Sequence, residues 1–277
     1  MGAYLRPAAL NDALKALADH RPAILAGGTD HFPARASQPR DEDILDITAL
    51  PGLRAITEAP DYWRIPCLAT WTDLIEADLP PLFDGLRAAA GQIGGVQVQN
   101  AGTLCGNLCN ASPAADGIPN LLALDAVVEL ASFSGTRLLP VHGFVLGNRS
   151  TACRPDEMVL ALRIPRPVLP SRGVFGKLGA RRYLVISMVM VAATTQFRPD
   201  GRIAAARVAI GACGAAACRL PGLEAALSGR LPDPALVGPA HLDPITPIDD
   251  VRATAAYRRE AAMEMLRRAV SELGGDS

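Results

Sequence analysis

Residues 103–126 read TLCGNLCNASPAADGIPNLLALDA. Within and just before this stretch, Val96 to Ala115 carry no charged residue, and the polar side chains are Asn, Thr, Ser and Gln. Such a run is too polar for a hydrophobic core and too uncharged for an ordinary solvent loop. Buried polar groups need hydrogen-bond partners. A segment wrapped around a large polar ligand accounts for the composition, and an irregular loop is the plainer alternative. Asp116 ends the run. A carboxylate there can accept from a ribose-like hydroxyl, or simply cap the short helix expected after Pro119.

A second glycine loop lies upstream. Leu10, Ala13, Leu14, Leu17 and Ala18 recur at helical spacing, which predicts a helix over 10–18. A short strand over 23–26 then runs into Gly27-Gly28-Thr29-Asp30. Two glycines after a strand allow a tight turn and let a ligand approach the backbone. Successive N–H groups in such a turn can cradle an anion, typically a phosphate. Thr29 adds a hydroxyl. No long helix with GxGxxG spacing follows, so the dinucleotide fingerprint of a Rossmann fold is absent. Taken alone, the loop reads better as a plain turn after a strand.

The remaining pattern is mixed. Strands are expected over 43–47, 53–56 and 62–65. Thr70 and Asp73 have capping-box spacing, with a helix to about Asp78 and another over 82–90. Residues 121–124 read as an apolar turn. Strands over 126–130 and 138–141 flank a turn at Ser134-Gly135-Thr136, and 158–164 is a further strand. Pro165, Pro167 and Pro170 mark a domain boundary. Beyond it, residues 183–197 and 203–211 flank Arg198-Pro199-Asp200-Gly201 as a hairpin. A short helix over 223–227 follows. A last helix starts near Ala253, with Ala262, Met265, Leu266, Ala269, Val270 and Leu273 on its apolar face and Glu264 four residues before Arg268. Domains are therefore expected at 1–168 (subdomains about 1–52 and 53–168) and 172–277.

Composition narrows the function. The chain has 277 residues, 49% hydrophobic and only 4% aromatic, with a formal net charge of −1. There is no basic excess to neutralise phosphates and few rings to stack bases, so no nucleic-acid partner is expected. The longest apolar run, Leu184 to Ala193, is far shorter than the ~20 residues of a membrane span. No signal-peptide pattern opens the sequence. A cytoplasmic protein with reduced thiols is expected, export of an assembled complex on a partner's signal staying open. There is no GxSxG, HExxH or Walker motif. His20, His31, His142 and His241 form no site, and Cys105 and Cys109 lack further ligands at metal-site spacing. The cysteines read as small structural residues, and no catalytic side chain is expected.

These residues match a known family. AGGTD at 26–30 resembles the first FAD loop of the FAD-binding (medium) subunit of molybdenum hydroxylases of the xanthine dehydrogenase and carbon monoxide dehydrogenase type. Residues 103–126 resemble its second FAD loop. Phe175-Gly176-Lys177 with Arg181-Arg182, and Asp249-Asp250-Val251-Arg252 with Tyr257-Arg258, resemble the opening and closing segments of its C-terminal domain. The resemblance implies an α+β chain: a two-part FAD-binding domain of the vanillyl-alcohol-oxidase/methylhydroxylase type, then a small α/β domain of antiparallel sheet and helices.

By position, the resemblance implies that Leu25, Ala26, Gly27, Gly28, Thr29, Asp30 and His31 line the FAD pyrophosphate. Thr103, Gly106, Asn107, Ser112 and Asp116 complete the second loop. Ile93 sits near the flavin or adenine end, and Lys177 reaches the flavin. The sequence departs from the family at Cys105, where glycine is usual, at Gln99, where arginine is common, and at His31, where an apolar residue is usual. No four-cysteine insertion for an additional cluster is present. The implied role is an electron-transfer oxidoreductase subunit. It takes electrons from [2Fe–2S] clusters on a small subunit, beside a large molybdenum-cofactor subunit, and passes them to NAD+ or another acceptor. The alternatives are a free-standing FAD-dependent oxidoreductase and an assembly subunit that has lost FAD.

Overall fold

The computed structural model describes residues 2–36 and 41–275. The first helix spans Leu10–His20 and is closed by Arg21 in the left-handed region, at φ 49°. It buries Ala13, Leu14 and Leu17, the expected apolar face. The strands Tyr4–Leu5, Ile44–Asp46 and Ala23–Leu25 pair in that order as a small parallel sheet. Buried Asp46 ties the strand ends together, accepting from the Tyr4 hydroxyl and from both the N–H and hydroxyl of Thr48. The C-terminal end of Ala23–Leu25 therefore delivers the first glycine loop from a fixed edge.

A five-stranded antiparallel sheet follows, in the order Thr57–Glu58, Tyr62–Pro66, Met158–Pro165, Val127–Ser132, Gly135–Pro140. The strand expected over 53–56 does not form there. Leu53 is buried beneath the sheet, and pairing begins only at Thr57. The capping box is present, with Thr70 Oγ1 accepting from the Asp73 N–H (3.2 Å) and the Asp73 carboxylate from the Thr70 N–H (2.8 Å). It starts the helix Trp71–Glu76. The charge-free stretch is not an irregular loop. It holds two short helices, Val96–Ala101 and Leu104–Asn110, and the apolar turn expected at 121–124 belongs to the helix Gly117–Ala123.

The third sheet is antiparallel, in the order Ser171–Leu178, Val189–Phe197, Ile203–Gly211, Cys218–Arg219. The first of these strands had no sequence signal, and residues 183–188, expected in the hairpin, lie outside the strand. Side chains alternate across a sheet. Val174, Val189, Val191 and Ala193 pack with Ala262, Leu266 and Val270 of the long helix Ala255–Gly274. Phe175, Met190 and Ala192 face the other way, onto Ala89 and Ala123. Both faces are covered, which explains the unbroken apolar run in this strand. Glu264 accepts from Arg268 as expected (2.8 Å). Among the described residues, no helix is long and apolar enough to cross a membrane.

Two glycines set the approach of this sheet to the helix Asp84–Ala90. A Cβ on Gly173 would lie 2.3 Å from the Leu82 carbonyl oxygen, and one on Gly85 would lie 2.7 Å from that of Val174. Backbone cannot swing away as a side-chain tip can. Gly173→Ala is expected to destabilise by about 1–3 kcal/mol, the usual cost of overpacking. Urea denaturation measures it, and a midpoint equal to wild type would contradict the contact.

Candidate functional site

A cavity of about 570 Å³ opens between the loop after Ala23–Leu25 and the helix Leu104–Asn110. That size lies within the ~300–1,000 Å³ typical of small-molecule and cofactor sites. The two glycine loops meet at its base. A Cβ on Gly27 would lie 1.8 Å from the Ala101 carbonyl oxygen, and one on Gly102 would lie 3.2 Å from Thr29 Oγ1. Gly28 has φ 70°, a conformation that glycine adopts without strain. The chain then turns, Phe32 N–H donating to the Gly28 carbonyl and Ala34 N–H to that of Asp30 (both 3.1 Å).

The N–H groups of Gly27, Gly28, Thr29, Asp30 and His31 donate to no acceptor among the described residues. Five successive unpaired donors beside a cavity are a cradle for an oxyanion. They fit a cofactor diphosphate, whose oxygens would complete bonds the protein leaves open.

The opposite wall is built by Thr103, which caps the helix Leu104–Asn110 by accepting from the Gly106 N–H (2.9 Å). Trp71 N–H donates to the Gly102 carbonyl (3.1 Å), fixing the approach to that helix. Asn107 Oδ1 accepts from the Gly117 N–H (3.2 Å), while its amide nitrogen has no partner among the described residues. Gln99 is an uncharged partner to the turn before it. Its amide donates to the carbonyls of Gly91 (3.3 Å) and Ile93 (3.1 Å) and so shapes the turn that brings Ile93 to the cavity.

Ten of the expected residues thus share one cavity: Ala26 through His31, Ile93, Thr103, Gly106 and Asn107. Leu25 does not reach it; it is buried behind the loop, its carbonyl accepting from the Ile47 N–H (3.0 Å). Ser112 lies off the wall and shapes the turn at Pro113, its hydroxyl accepting from the Ala114 N–H (3.3 Å). Asp116 does not cap the following helix with its side chain. Its carboxylate instead pairs with Lys177 Nζ at 2.5 Å and accepts from the Ser187 hydroxyl. Both ion-pair members are nearly inaccessible, at 6% for Lys177 and 4% for Asp116. Burial raises the Asp116 carboxyl above its ordinary range, against the pull of Lys177 and Ser187.

Sequence reasoning missed part of the wall. Cys67, Cys153, Val98, Met158 and Val159 come from four other segments and carry no local signal. Cys105, at the departure from the family's glycine, is buried in the wall, and burial pushes its thiol well up. Cys67 is pushed to about 12 and Cys153 to about 11 by the same cause. Desolvation and then Arg35 lower His31 below its usual value. The cysteines are therefore neutral thiols and His31 a neutral imidazole near neutral pH. The arrangement fits a large, partly anionic ligand, and no activated nucleophile lines it among the described residues.

Cys109 is exposed, not a buried structural residue, and it lines the same cavity. Maleimide labelling at Cys109, with Cys109→Ser as control, is expected to slow by about tenfold when FAD is bound, because access to the thiol sets the rate. An unchanged rate would place the cofactor elsewhere.

The C-terminal helix reaches back towards this region. Buried Arg258 donates to the carbonyls of Met188 (2.6 Å) and Ala212 (2.9 Å) and pairs with Asp250 (2.7 Å). The backbone N–H of Arg252 holds the Asp250 carboxyl far below the usual carboxylate range, with Arg258 contributing. Ala212 N–H in turn donates to the Pro113 carbonyl (2.9 Å). The closing motif thus braces a turn within the second loop.

A cavity lined by two glycine loops and unpaired backbone donors fits a protein that binds a large phosphate-bearing cofactor, and comparison with known families identifies that class. Residues 1–167 match the family described as the FAD binding domain in molybdopterin dehydrogenase, and residues 176–273 match the CO dehydrogenase flavoprotein C-terminal domain. The chain belongs to this family of FAD-binding subunits of molybdenum hydroxylases. It is 29% identical to the nicotine 6-hydroxylase medium subunit of Paenarthrobacter nicotinovorans, over 98% of this chain and 96% of that one. It is 31% identical to the xanthine dehydrogenase FAD-binding subunit of Escherichia coli O157:H7, over 97% and 94%. Its fold superposes on a chain of the carbon monoxide dehydrogenase of Hydrogenophaga pseudoflava with a TM-score of 0.89, at 26% identity over 98% and 96%.

Proposed function

We propose that this chain is the electron-relay subunit of a heteromeric molybdenum hydroxylase, taking electrons from [2Fe–2S] clusters on a small partner and passing them to NAD+ or another acceptor. A large partner would carry the molybdenum cofactor. The observation that carries the reading is the cavity itself: N–H groups at Gly27–His31, unpaired among the described residues, opposite the capped helix wall of Thr103, Gly106 and Asn107. FAD, when bound, supplies the redox chemistry, while the protein supplies binding, orientation and electrostatics.

The N–H groups from Gly27 to His31 would hold the diphosphate. Thr103, Gly106 and Asn107 would close the second side, and Ile93 would press on a ring. Asp116 and Lys177, linked to each other, would act from behind the wall and bias the local field. The relatives named above are subunits of dehydrogenases and hydroxylases, which favours the relay over a free-standing oxidoreductase. The test is to purify the chain from its native source with whatever accompanies it. The expected preparation contains FAD, molybdenum and iron–sulfur clusters in separate polypeptides, and substrate bleaches its flavin absorbance under anaerobic conditions. A chain that carries FAD but has no such partners would overturn the relay, and a complex from which no FAD can be extracted would overturn the cofactor.

A further inference from the structure

The charged side chains lining the cavity do not balance a diphosphate. They are Asp30, Arg35 and Arg149, with His31 beside them. Arg35 is ion-paired with Glu42 and also donates to the His31 carbonyl (2.9 Å). His31 is held neutral, as described, and Asp30 adds a negative charge. Arg149 alone among the lining cations has no carboxylate partner among the described residues. Backbone donors favour an anion, but a cation is the stronger counterpart for two adjacent phosphates, because guanidinium and phosphate oxygens match in two parallel hydrogen bonds.

Arg149 is also held in place. It sits in the turn between the strands Val145–Gly147 and Ser150–Thr151, at φ 56°. Its N–H donates to the Ala111 carbonyl (2.9 Å), and its guanidinium donates through one nitrogen to Asn110 Oδ1. Asn110 ends, and Ala111 caps, the Leu104–Asn110 helix that forms the second wall. Arg149 is exposed and lines the cavity, and its guanidinium has no other partner among the described residues. A cation tethered at one edge and unpaired at the other is poised for an anion arriving between the two loops.

The geometry points to Arg149 as a cofactor-anchoring residue that pairs with the diphosphate of FAD across the cavity from the Gly27–His31 loop. The inference rests on the FAD reading above. It gives this chain a charge-based preference for the dinucleotide over riboflavin, which has no phosphate.

Full-length protein stripped of flavin tests it by titration with FAD and riboflavin, read by flavin fluorescence. Arg149→Gln is expected to weaken FAD binding about tenfold or more, to reduce its dependence on ionic strength, and to leave riboflavin affinity unchanged. Arg149→Lys is expected to recover part of the loss. Asn110→Ala, which frees the tether but keeps the charge, is expected to cost less than Arg149→Gln and serves if the latter does not fold. Wild-type FAD affinity in Arg149→Gln overturns the proposal, as does an equal loss of FAD and riboflavin. Unchanged FAD affinity with weaker binding of a nicotinamide dinucleotide to the flavin-loaded chain would also overturn it, assigning the arginine to an incoming acceptor. A wild-type chain that takes up no FAD would instead sink the parent reading, and this one with it.

Discussion

Gly27→Ala should yield protein that purifies with little or no flavin. The added Cβ would lie 1.8 Å from the Ala101 carbonyl oxygen and 2.5 Å from its carbon. Both atoms are backbone, so the two loops must part for the methyl to fit. Parting them moves the Gly27–His31 donors away from the Thr103 wall. Overpacking costs about 1–3 kcal/mol, and here it falls on the shape of the cavity. FAD affinity is therefore expected to drop about tenfold to a hundredfold. Gly238→Ala is the matched control, because a Cβ there meets nothing within 4 Å. Calorimetric titration of both variants with FAD gives the answer, and a Gly27→Ala chain with wild-type affinity would show that the loops do not clasp the cofactor.

Lys177→Met should cost more in stability than any surface change. It leaves the Asp116 carboxylate buried with only Ser187 as side-chain partner. Removing one member of a buried ion pair costs about 3–5 kcal/mol. The loss should depend on pH. Burial already raises Asp116, and Lys177 is the largest influence opposing it. Without Lys177 the folded-state value rises further above the unfolded one. Such a group adds stability below the unfolded pKa, and that contribution is lost as pH rises through the folded pKa. The variant is therefore expected closest to wild type in acid and weakest at neutral and alkaline pH. Adding Asp116→Asn should restore most of the loss. Urea unfolding at mildly acidic and mildly alkaline pH measures this, and a pH-independent deficit without rescue would contradict a buried charge.

Much of this architecture could be read from local pattern. The long C-terminal helix announced itself through Ala262, Leu266, Ala269 and Val270, and the capping box through Thr70 and Asp73. The glycine loop was legible because strand and turn residues adjoin in sequence. The strand Ser171–Leu178 was not legible. It opens polar, contains Gly173 and Gly176, and is defined by partners on Val189–Phe197 and by a helix some ninety residues earlier. The helices Val96–Ala101 and Leu104–Asn110 were hidden because uncharged polar residues replace an apolar stripe. In the site, the glycines and Thr103 could be named, whereas Arg149, Cys67 and Cys153 reach the cavity only through tertiary folding. The bond between Asp116 and Lys177 spans 61 residues, and no spacing rule anticipates it.

The third sheet has a consequence for how this chain can be taken apart. One of its faces, with Phe175, Met190 and Ala192, closes on Ala89 and Ala123 of the FAD-binding portion, and Gly85 and Gly173 let the backbones touch. A proteolytic nick in the proline-rich segment near 165–173 would leave the two pieces clasped together. A chimaera that grafts this C-terminal portion onto a relative's FAD-binding portion must inherit the paired glycines as well as the loops. Mismatched halves would meet through a gap or a clash, with the apolar face of the sheet left partly bare.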